Sequence, residues 1–548
     1  MKLRFVNKAV PLAVFLFVAF SCFISLLTIF YGTESYSMLH IFSHDESDQV
    51  ARLQRLLENN TLDTGGFKGG FYSYGQFYPT VAFWVMKSIS LFGFESVNYQ
   101  FTALTLKIIS ILAYFFSVYF IYRVIRLMGG IESISAAFAF IFAVIPNYWD
   151  WASAIHPDTL QMLTLILPMY ALLKINNKYL SIIVASFIVG ISFGTKYAGF
   201  FAVILIAAYV FLVILQRHLE YRKSNNIRAF FLLSSWSVIS FLLGWLLFNP
   251  YVLTHFNKFF SEMISQSNSI KFGYGNLINN NGFEWFTIFY DQLGILNSFF
   301  LLFGVITGIA FIAIKIIETI KSKEYSKFFD DKLFSIVTAV SIYVIFSSLY
   351  LILVVKYREV RYGFHVLPYL IFLSFYGFNC LISRIKINNI FVLIMSISII
   401  IFSYSSYSSN LSNLSSRYSE KLNNPYLDAG EWMVNNYSSE TAILAGTYSY
   451  VPNDFFKRYS MTYDLNNQSV LHFDPDVIVM NNSVPGRYVW KKPGTLFKSL
   501  DIDESSWSYW DDKEMLDEYL RFYSNLVSVD SNWIIVYESD SVVIFEKK

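Results

Sequence analysis

The sequence predicts a polytopic α-helical membrane protein of about eleven spans, with a cytoplasmic N-terminus, helices in its extracytoplasmic loops and a soluble α/β domain at its C-terminal end. Three observations predict it. Hydrophobic residues fill 55% of the 548 positions and charged residues only 15%, with 19% aromatics, which is too apolar for a soluble chain of this length. Apolar runs of spanning length recur through the first 404 residues, whereas the rest has the mixed pattern of a soluble fold. Lysine and arginine cluster in alternate loops, as the positive-inside bias requires. At ~20 residues per span the runs take up roughly 220 residues, so more than half of the chain lies outside the hydrocarbon. A net charge of +2 gives no global excess of the kind nucleic-acid binding needs. Cys22 and Cys380 both sit in apolar runs, and no CxxC or Cys/His zinc spacing occurs, so neither a disulfide framework nor a structural zinc site is implied.

The spans are expected at 10–31, 101–122, 131–144, 160–173, 180–193, 199–215, 229–248, 294–317, 333–355, 362–382 and 390–404. The first follows Lys2, Arg4 and Lys8, is longer than a signal-peptide core and reads as a retained signal anchor. Basic turns at Arg123/Arg126, Lys174/Lys178, 216–228, 318–332 and Arg384/Lys386 alternate along the chain. This places the N-terminus inside and the C-terminal tail outside. The run 80–93 is apolar but short and carries Lys87 in its middle. Counting it as a span would put most basic loops outside, so it is expected to lie in the membrane interface.

Three outer regions result. The first loop, 32–100, has an acidic start and a Gly- and Tyr-rich stretch, GGFKGGFYSYGQFYP. The second is 249–292, where Glu262, Lys271 and Asp291 read as solvated surface. The third is the tail, 405–548, long enough for a domain of its own beside a membrane domain over 1–404. After a serine-rich connector its pattern gives a helix at 425–437, strands at 442–446 and 477–480, a helix at 513–526 and a hairpin of 533–537 with 542–545.

Candidate chemistry concentrates at the outer ends of spans. Ser43-His44-Asp45-Glu46-Ser47-Asp48 places adjacent carboxylates near the membrane surface, where one could take a proton from an acceptor hydroxyl. A capping box of Ser43 with Glu46, ahead of the stripe Val50, Leu53 and Leu57, explains the same residues structurally. The next outer loop holds Trp149-Asp150-Trp151 and His156-Pro157-Asp158. Pro157 suits a first helical position, Asp158 the first turn, and the tryptophans read as interfacial anchors. Asp45, Glu46, His156 and Asp158 together could also bridge a divalent cation. Lys356, Arg358 and Arg361 break the positive-inside bias on the outer side with only Glu359 nearby. An anionic headgroup would account for them, and a continued helix would put Arg358, Arg361 and His365 on one face. Snorkelling at a helix end is the plainer reading, and the more favoured one for Lys196 in Gly194-Thr195-Lys196-Tyr197.

In order, the acidic pair, Tyr78-Pro79 with Phe83-Trp84 and Phe92-Gly93, His156-Pro157-Asp158, Gly194-x-Lys196-Tyr197, Asn249-Pro250-Tyr251 and Arg361-Tyr362 with Leu367-Pro368 resemble the glycosyltransferase type C superfamily. The branch resembled is that of protein O-mannosyltransferases and the lipid A aminoarabinose transferase, over roughly residues 1–380. The resemblance implies an enzyme that passes a sugar from a polyprenyl-phosphate donor to a glycan, lipid or protein acceptor on the outer face. No organelle-retention signal is seen, so a bacterial inner membrane is the expected setting, with an internal eukaryotic membrane as the other. It implies Asp45 as general base, Glu46 as its support, Asp158 as a holder of acceptor or metal, and Arg361, Arg358 and Lys196 as phosphate ligands. The paired prolines common ahead of the aromatic segment are here Tyr78-Pro79. A transporter or flippase for an anionic lipid is the alternative, but it calls for ionisable groups near mid-membrane, and a non-catalytic scaffold for the outer domain is a third reading.

Overall fold

The structure is a computed structural model of residues 1–548. It describes all of them except 1, 31, 43, 67–71, 73–74, 94–97, 222–225, 273–280, 323–330, 357, 386–389, 405–407, 409–423, 447–448, 463–464, 482–512 and 529, and excludes the side chains of 2–7, 40–42, 44–45, 219–221, 226–227, 269, 272, 513–517 and 519–520. Helix α1 (Lys2–Leu27) leads to three loop helices, α2 (Tyr36–Phe42), α3 (His44–Glu58) and α4 (Phe77–Ser90). Then come α5 (Tyr99–Leu127), α6 (Glu132–Ala143), the short α7 (Pro146–Ala152), α8 (Pro157–Lys174) and α9 (Lys178–Thr195). A 3₁₀ turn, Tyr197–Phe201, opens α10 (Ala202–Tyr221), followed by α11 (Asn226–Leu246), α12 (Phe256–Phe272) and the long α13 (Glu284–Ser322). The helices Lys332–Leu353, Leu367–Ile385 and Ile390–Tyr404 complete this part.

Among the described residues, eight helices are long and apolar enough to cross a membrane, and the protein is an integral membrane protein. Two further expected spans fall on the shorter apolar helices Glu132–Ala143 and Ile390–Tyr404. The expected span 160–173 falls within α8, whose Asp158, Gln161 and Lys174 lower its apolar content and whose surface is largely buried in the protein. The 80–93 run forms α4, which is not among the span-length helices and instead buries Tyr78, Ala82, Phe83 and Met86 against α3 and α5.

Local chemistry sets the helix ends. The Asn98 side chain accepts the amides of Gln100 and Phe101 at the start of α5, and Asn177 does the same for Tyr179 and Leu180 in α9. Gly294, at φ +73°, breaks α13 at the residue where the sequence places the start of its span, a conformation that L side chains avoid. Helices α9 and α11 touch through backbone: a Cβ at Gly190 would stand 2.1 Å from the Phe241 carbonyl oxygen. This is the close approach that small residues permit within a bilayer.

The C-terminal part contains a five-stranded mixed sheet in the order β2-β1-β3-β5-β4, formed by β1 (Ile443–Gly446), β2 (Tyr459–Thr462), β3 (Val477–Asn481), β4 (Trp533–Glu538) and β5 (Val542–Lys547). β1 pairs in parallel with β2 and β3, whereas β5 runs antiparallel to β3 and β4. The helix Pro425–Asn436 covers one face through Ala429 and Met433, and Lys513–Val527 covers the other through Phe522, Tyr523 and Leu526. Burial on both faces is why β1 and β3 read as unbroken apolar runs. The sequence reading missed β2 and the helix Asn467–Phe473, both short and without a fully apolar pattern. The expected domain boundary after 404 meets residues outside the described set.

Candidate active site

Helix α3 brings the first acidic group to the second. Glu46, 8% exposed, accepts the backbone amide of Ile155 through Oε2 at 2.8 Å, fixing the start of α3 against the loop that precedes α8. Asp45 lies beside it in the first turn of α3, and its side chain is outside the described ones, as is that of His44. Pro157 opens α8 and places Asp158 in its first turn. Both Asp158 oxygens face Lys196 Nζ, at 2.7 and 2.9 Å, and His156 Nδ1 lies 2.5 Å from Oδ2. Burial by itself would raise the Asp158 carboxyl, but Lys196 and then His156 outweigh it and hold the group well below the usual carboxylate range. Gln161 Nε2 donates to the Lys196 carbonyl at 3.1 Å, so α8 holds both the backbone and the side chain of that turn. Lys196 therefore does not snorkel: its side chain is 12% exposed and engaged inward.

A second cation shares a neighbour with Lys196. Lys196 Nζ stands 5.9 Å and the Arg361 guanidinium carbon 5.4 Å from the centre of the Tyr362 ring, so one aromatic shelf serves two positive groups. Arg361 Nε lies 2.8 Å from Glu359 Oε2, and Arg358 Nη1 lies 3.3 Å from Glu284 Oε2 on α13. This corrects the expectation of one helical face. Arg358 precedes the helical turn Val360–Gly363, and a 3₁₀ turn, Phe364–Val366, interrupts the helix before Leu367. Glu359 is also not the sole neutralising acid, because Glu284 approaches from another element.

Gly65 and Tyr72, described residues of the Gly- and Tyr-rich stretch, are tied to α12 and its surroundings. Glu262 Oε2 accepts the Tyr72 amide at 2.5 Å, Tyr197 Oη donates to the Tyr72 carbonyl, and Tyr72 Oη donates to Asp63 Oδ1 at 2.6 Å. Lys258 Nζ donates to the Gly65 carbonyl at 2.7 Å. Glu262 is thus no solvated loop residue, contrary to its reading in sequence: it satisfies a loop amide across 190 positions. The tryptophans are also corrected. Trp149 is buried, and Trp151 stacks on His156 at 5.3 Å and meets Phe364 edge-on at 4.6 Å. They pack within the protein because α7 turns into the bundle.

Gln76 and Asn249 tie the aromatic-proline segment to the end of α11: Asn249 Oδ1 accepts the Gln76 amide at 3.0 Å. Tyr78 Oη donates to the Leu106 carbonyl at 2.8 Å and meets Ser110 Oγ at 2.9 Å, and Ser110 Oγ in turn donates to the His156 carbonyl. No group of three or more His, Cys, Asp or Glu side chains fit to hold a metal ion occurs among the described residues, and Asp158 is engaged by Lys196. Of the four expected metal ligands, the Asp45 side chain lies outside the described ones, and the other three do not by themselves form such a group.

Residues 78–245 match the family model described as dolichyl-phosphate-mannose-protein mannosyltransferase. Among solved structures, the chain is similar to ArnT from Cupriavidus metallidurans in the apo state, with 12% identity, a TM-score of 0.52 and 97% of each chain covered. It is also similar to ArnT from Cupriavidus metallidurans bound to undecaprenyl phosphate, with 11% identity, a TM-score of 0.51 and coverage of 96% of this chain and 97% of that one. At these identities the likeness is one of fold. No curated protein sequence matches the chain significantly.

Proposed function

We propose that this chain is a glycosyltransferase of the type C superfamily, which moves a sugar from a polyprenyl-phosphate donor to an acceptor hydroxyl on the extracytoplasmic face of a bacterial inner membrane; the family-model match and the likeness in fold to ArnT support the reading. The observation that carries the reading is the convergence at one outer site of Glu46, Asp158, Lys196, Tyr362 and Arg361, drawn from four separate stretches of chain.

In this reading the acceptor oxygen attacks the anomeric carbon, the bond from that carbon to the phosphate oxygen breaks, and configuration inverts. The acceptor proton passes to Asp45, while the electron pair leaves with the polyprenyl phosphate. Asp158, held well below the usual carboxylate range by Lys196 and His156 after burial is overcome, is a poor proton acceptor. The base role is assigned to Asp45, one position from the anchored Glu46, as the family resemblance implies. A single base suffices for one inverting displacement. Charge developing on the phosphate meets Arg361 and Lys196, which the Tyr362 ring holds in place, with Arg358 behind them. An apolar groove bordered by Phe286, Phe289, Leu301, Leu302 and Leu370 offers the prenyl chain a path that stays in lipid.

The ArnT structure bound to undecaprenyl phosphate supports a lipid-phosphate carrier as ligand class. The test is binding of undecaprenyl phosphate to purified protein in nanodiscs. Arg361→Ala is expected to weaken it at least tenfold, since a guanidinium-phosphate contact is charge-assisted. Unchanged affinity would remove the phosphate from this site.

A further inference from the structure

The proposed reaction leaves one polar group unused. His365 is buried at 3% exposure, and among the described residues no side chain hydrogen-bonds to its ring. The Tyr362 carbonyl, one turn earlier, approaches the ring, and Phe201 stacks on it at 4.7 Å and 21°, which fixes its plane. Buried polar atoms are rarely left unpaired in folded proteins, and the ring nitrogen that the Tyr362 carbonyl does not serve asks for an explanation.

That ring lines a cavity of about 310 Å³, walled by Tyr197, Phe201 and Tyr362 and edged by Gln266 and Ser267 of α12. The volume is at the small end of ligand clefts, suited to one small ring compound and too small for a polyprenyl chain. Its lining combines aromatic surface with a few hydrogen-bonding groups, the complement of a molecule with apolar C–H faces and a hydroxyl rim. Its position adds a constraint. Tyr362, the shelf beneath Lys196 and Arg361, is also a wall of the cavity. The proposed phosphate site and the cavity therefore share Tyr362 as a common wall.

Resting on the proposed reaction, we infer that this cavity receives the glycosyl group of the donor and that His365 is a specificity-determining residue that reads its hydroxyls. A neutral imidazole carries one donor and one acceptor nitrogen, and with the donor turned to the Tyr362 carbonyl the acceptor is left for a sugar hydroxyl. A sugar lacking the matching hydroxyl leaves a buried nitrogen unpaired, and sites built this way discriminate more strongly than apolar pockets do.

The experiment measures equilibrium binding to the full-length protein in nanodiscs of undecaprenyl phosphate and of a panel of undecaprenyl-phosphate-linked hexoses, N-acetylhexosamines and pentoses. Wild type is expected to bind at least one sugar-loaded probe about tenfold or more tightly than undecaprenyl phosphate alone. His365→Phe, which keeps a ring against Phe201, is expected to abolish that increment and leave undecaprenyl phosphate affinity unchanged. Gln266→Leu, on a different element, is the second variant and should reduce the same increment. The inference is overturned if no probe shows an increment, if both variants retain it, or if His365→Phe weakens the bare carrier as much as the loaded one. Arg361→Ala separates the two claims: its effect on undecaprenyl phosphate tests the carrier site whatever His365 does.

Discussion

Lys196 Nζ stands between the two carboxylate oxygens of Asp158, at 2.7 and 2.9 Å, and joins the end of α9 to the start of α8 across 38 positions. Both side chains are almost fully withdrawn from solvent, so the pair is more than surface decoration. Removing one partner from such a pair leaves a buried charge uncompensated, at a cost of about 3 kcal/mol or more. Asp158→Asn is expected to lower thermal stability in detergent at pH 7 by that order. The Asp158 carboxyl is depressed, with Lys196 and His156 overcoming the opposing effect of burial. Its stabilisation is therefore present above the unfolded carboxylate pKa of about 3.9 and is lost only as pH falls below it, toward the lower folded value. Thermal unfolding of wild type and variant across pH 3–8 checks this, and a gap that closes already between pH 7 and pH 5 contradicts it.

Glu46 acts through its hydrogen bond to the Ile155 amide. Glu46→Ala orphans that buried donor and is expected to cost about 1–3 kcal/mol, with faster amide exchange at Ile155. Glu46→Gln keeps an acceptor oxygen and should restore exchange protection. Equal protection in both variants would mean that the bond does not anchor α3.

Tyr362 serves Lys196 and Arg361 through its ring. Tyr362→Phe preserves that surface and should leave donor KM within about twofold, whereas Tyr362→Ala should raise it about five- to thirtyfold, as each of the two cation-π contacts contributes about 0.5–1 kcal/mol. Steady-state kinetics with a sugar-loaded carrier decide it, and equal KM for both variants would reject the shelf.

Glu262 ties Tyr72 to α12. Glu262→Ala is expected to increase hydrogen exchange at Tyr72 and speed proteolytic cutting near it, because a loop that loses its ties opens at lower free energy. Exchange unchanged from wild type would show that the other contacts suffice.

Much of the fold is legible in sequence because the bilayer imposes one rule. A run must be apolar and long to cross, and Lys87 was enough to keep 80–93 out of the spans. The sequence also marks Gly294 as the start of a span, though not as a break inside a longer helix. Partner choice is less legible. Lys196 with Asp158, Arg358 with Glu284 and Tyr72 with Glu262 are each set by how separate helices pack, and local patterning holds no trace of them. Trp149 and Trp151 carry the composition of interfacial anchors and are drawn inward because α7 turns into the bundle. β2 is four half-buried residues, Tyr459–Thr462, too short for alternation to register. In sequence His365 stands out only for its spacing from Arg361, whereas its burial with no side-chain hydrogen-bond partner among the described residues singles it out.

The most direct test of the central claim is sugar transfer by purified protein from a defined polyprenyl-phosphate-linked sugar, comparing wild type with Asp45→Asn. Loss of a general base is expected to lower turnover by about 10²–10⁴-fold, with undecaprenyl phosphate binding and thermal stability retained. A folded Asp45→Asn protein that turns over at the wild-type rate would contradict Asp45 as the base and, with it, the proposed mechanism.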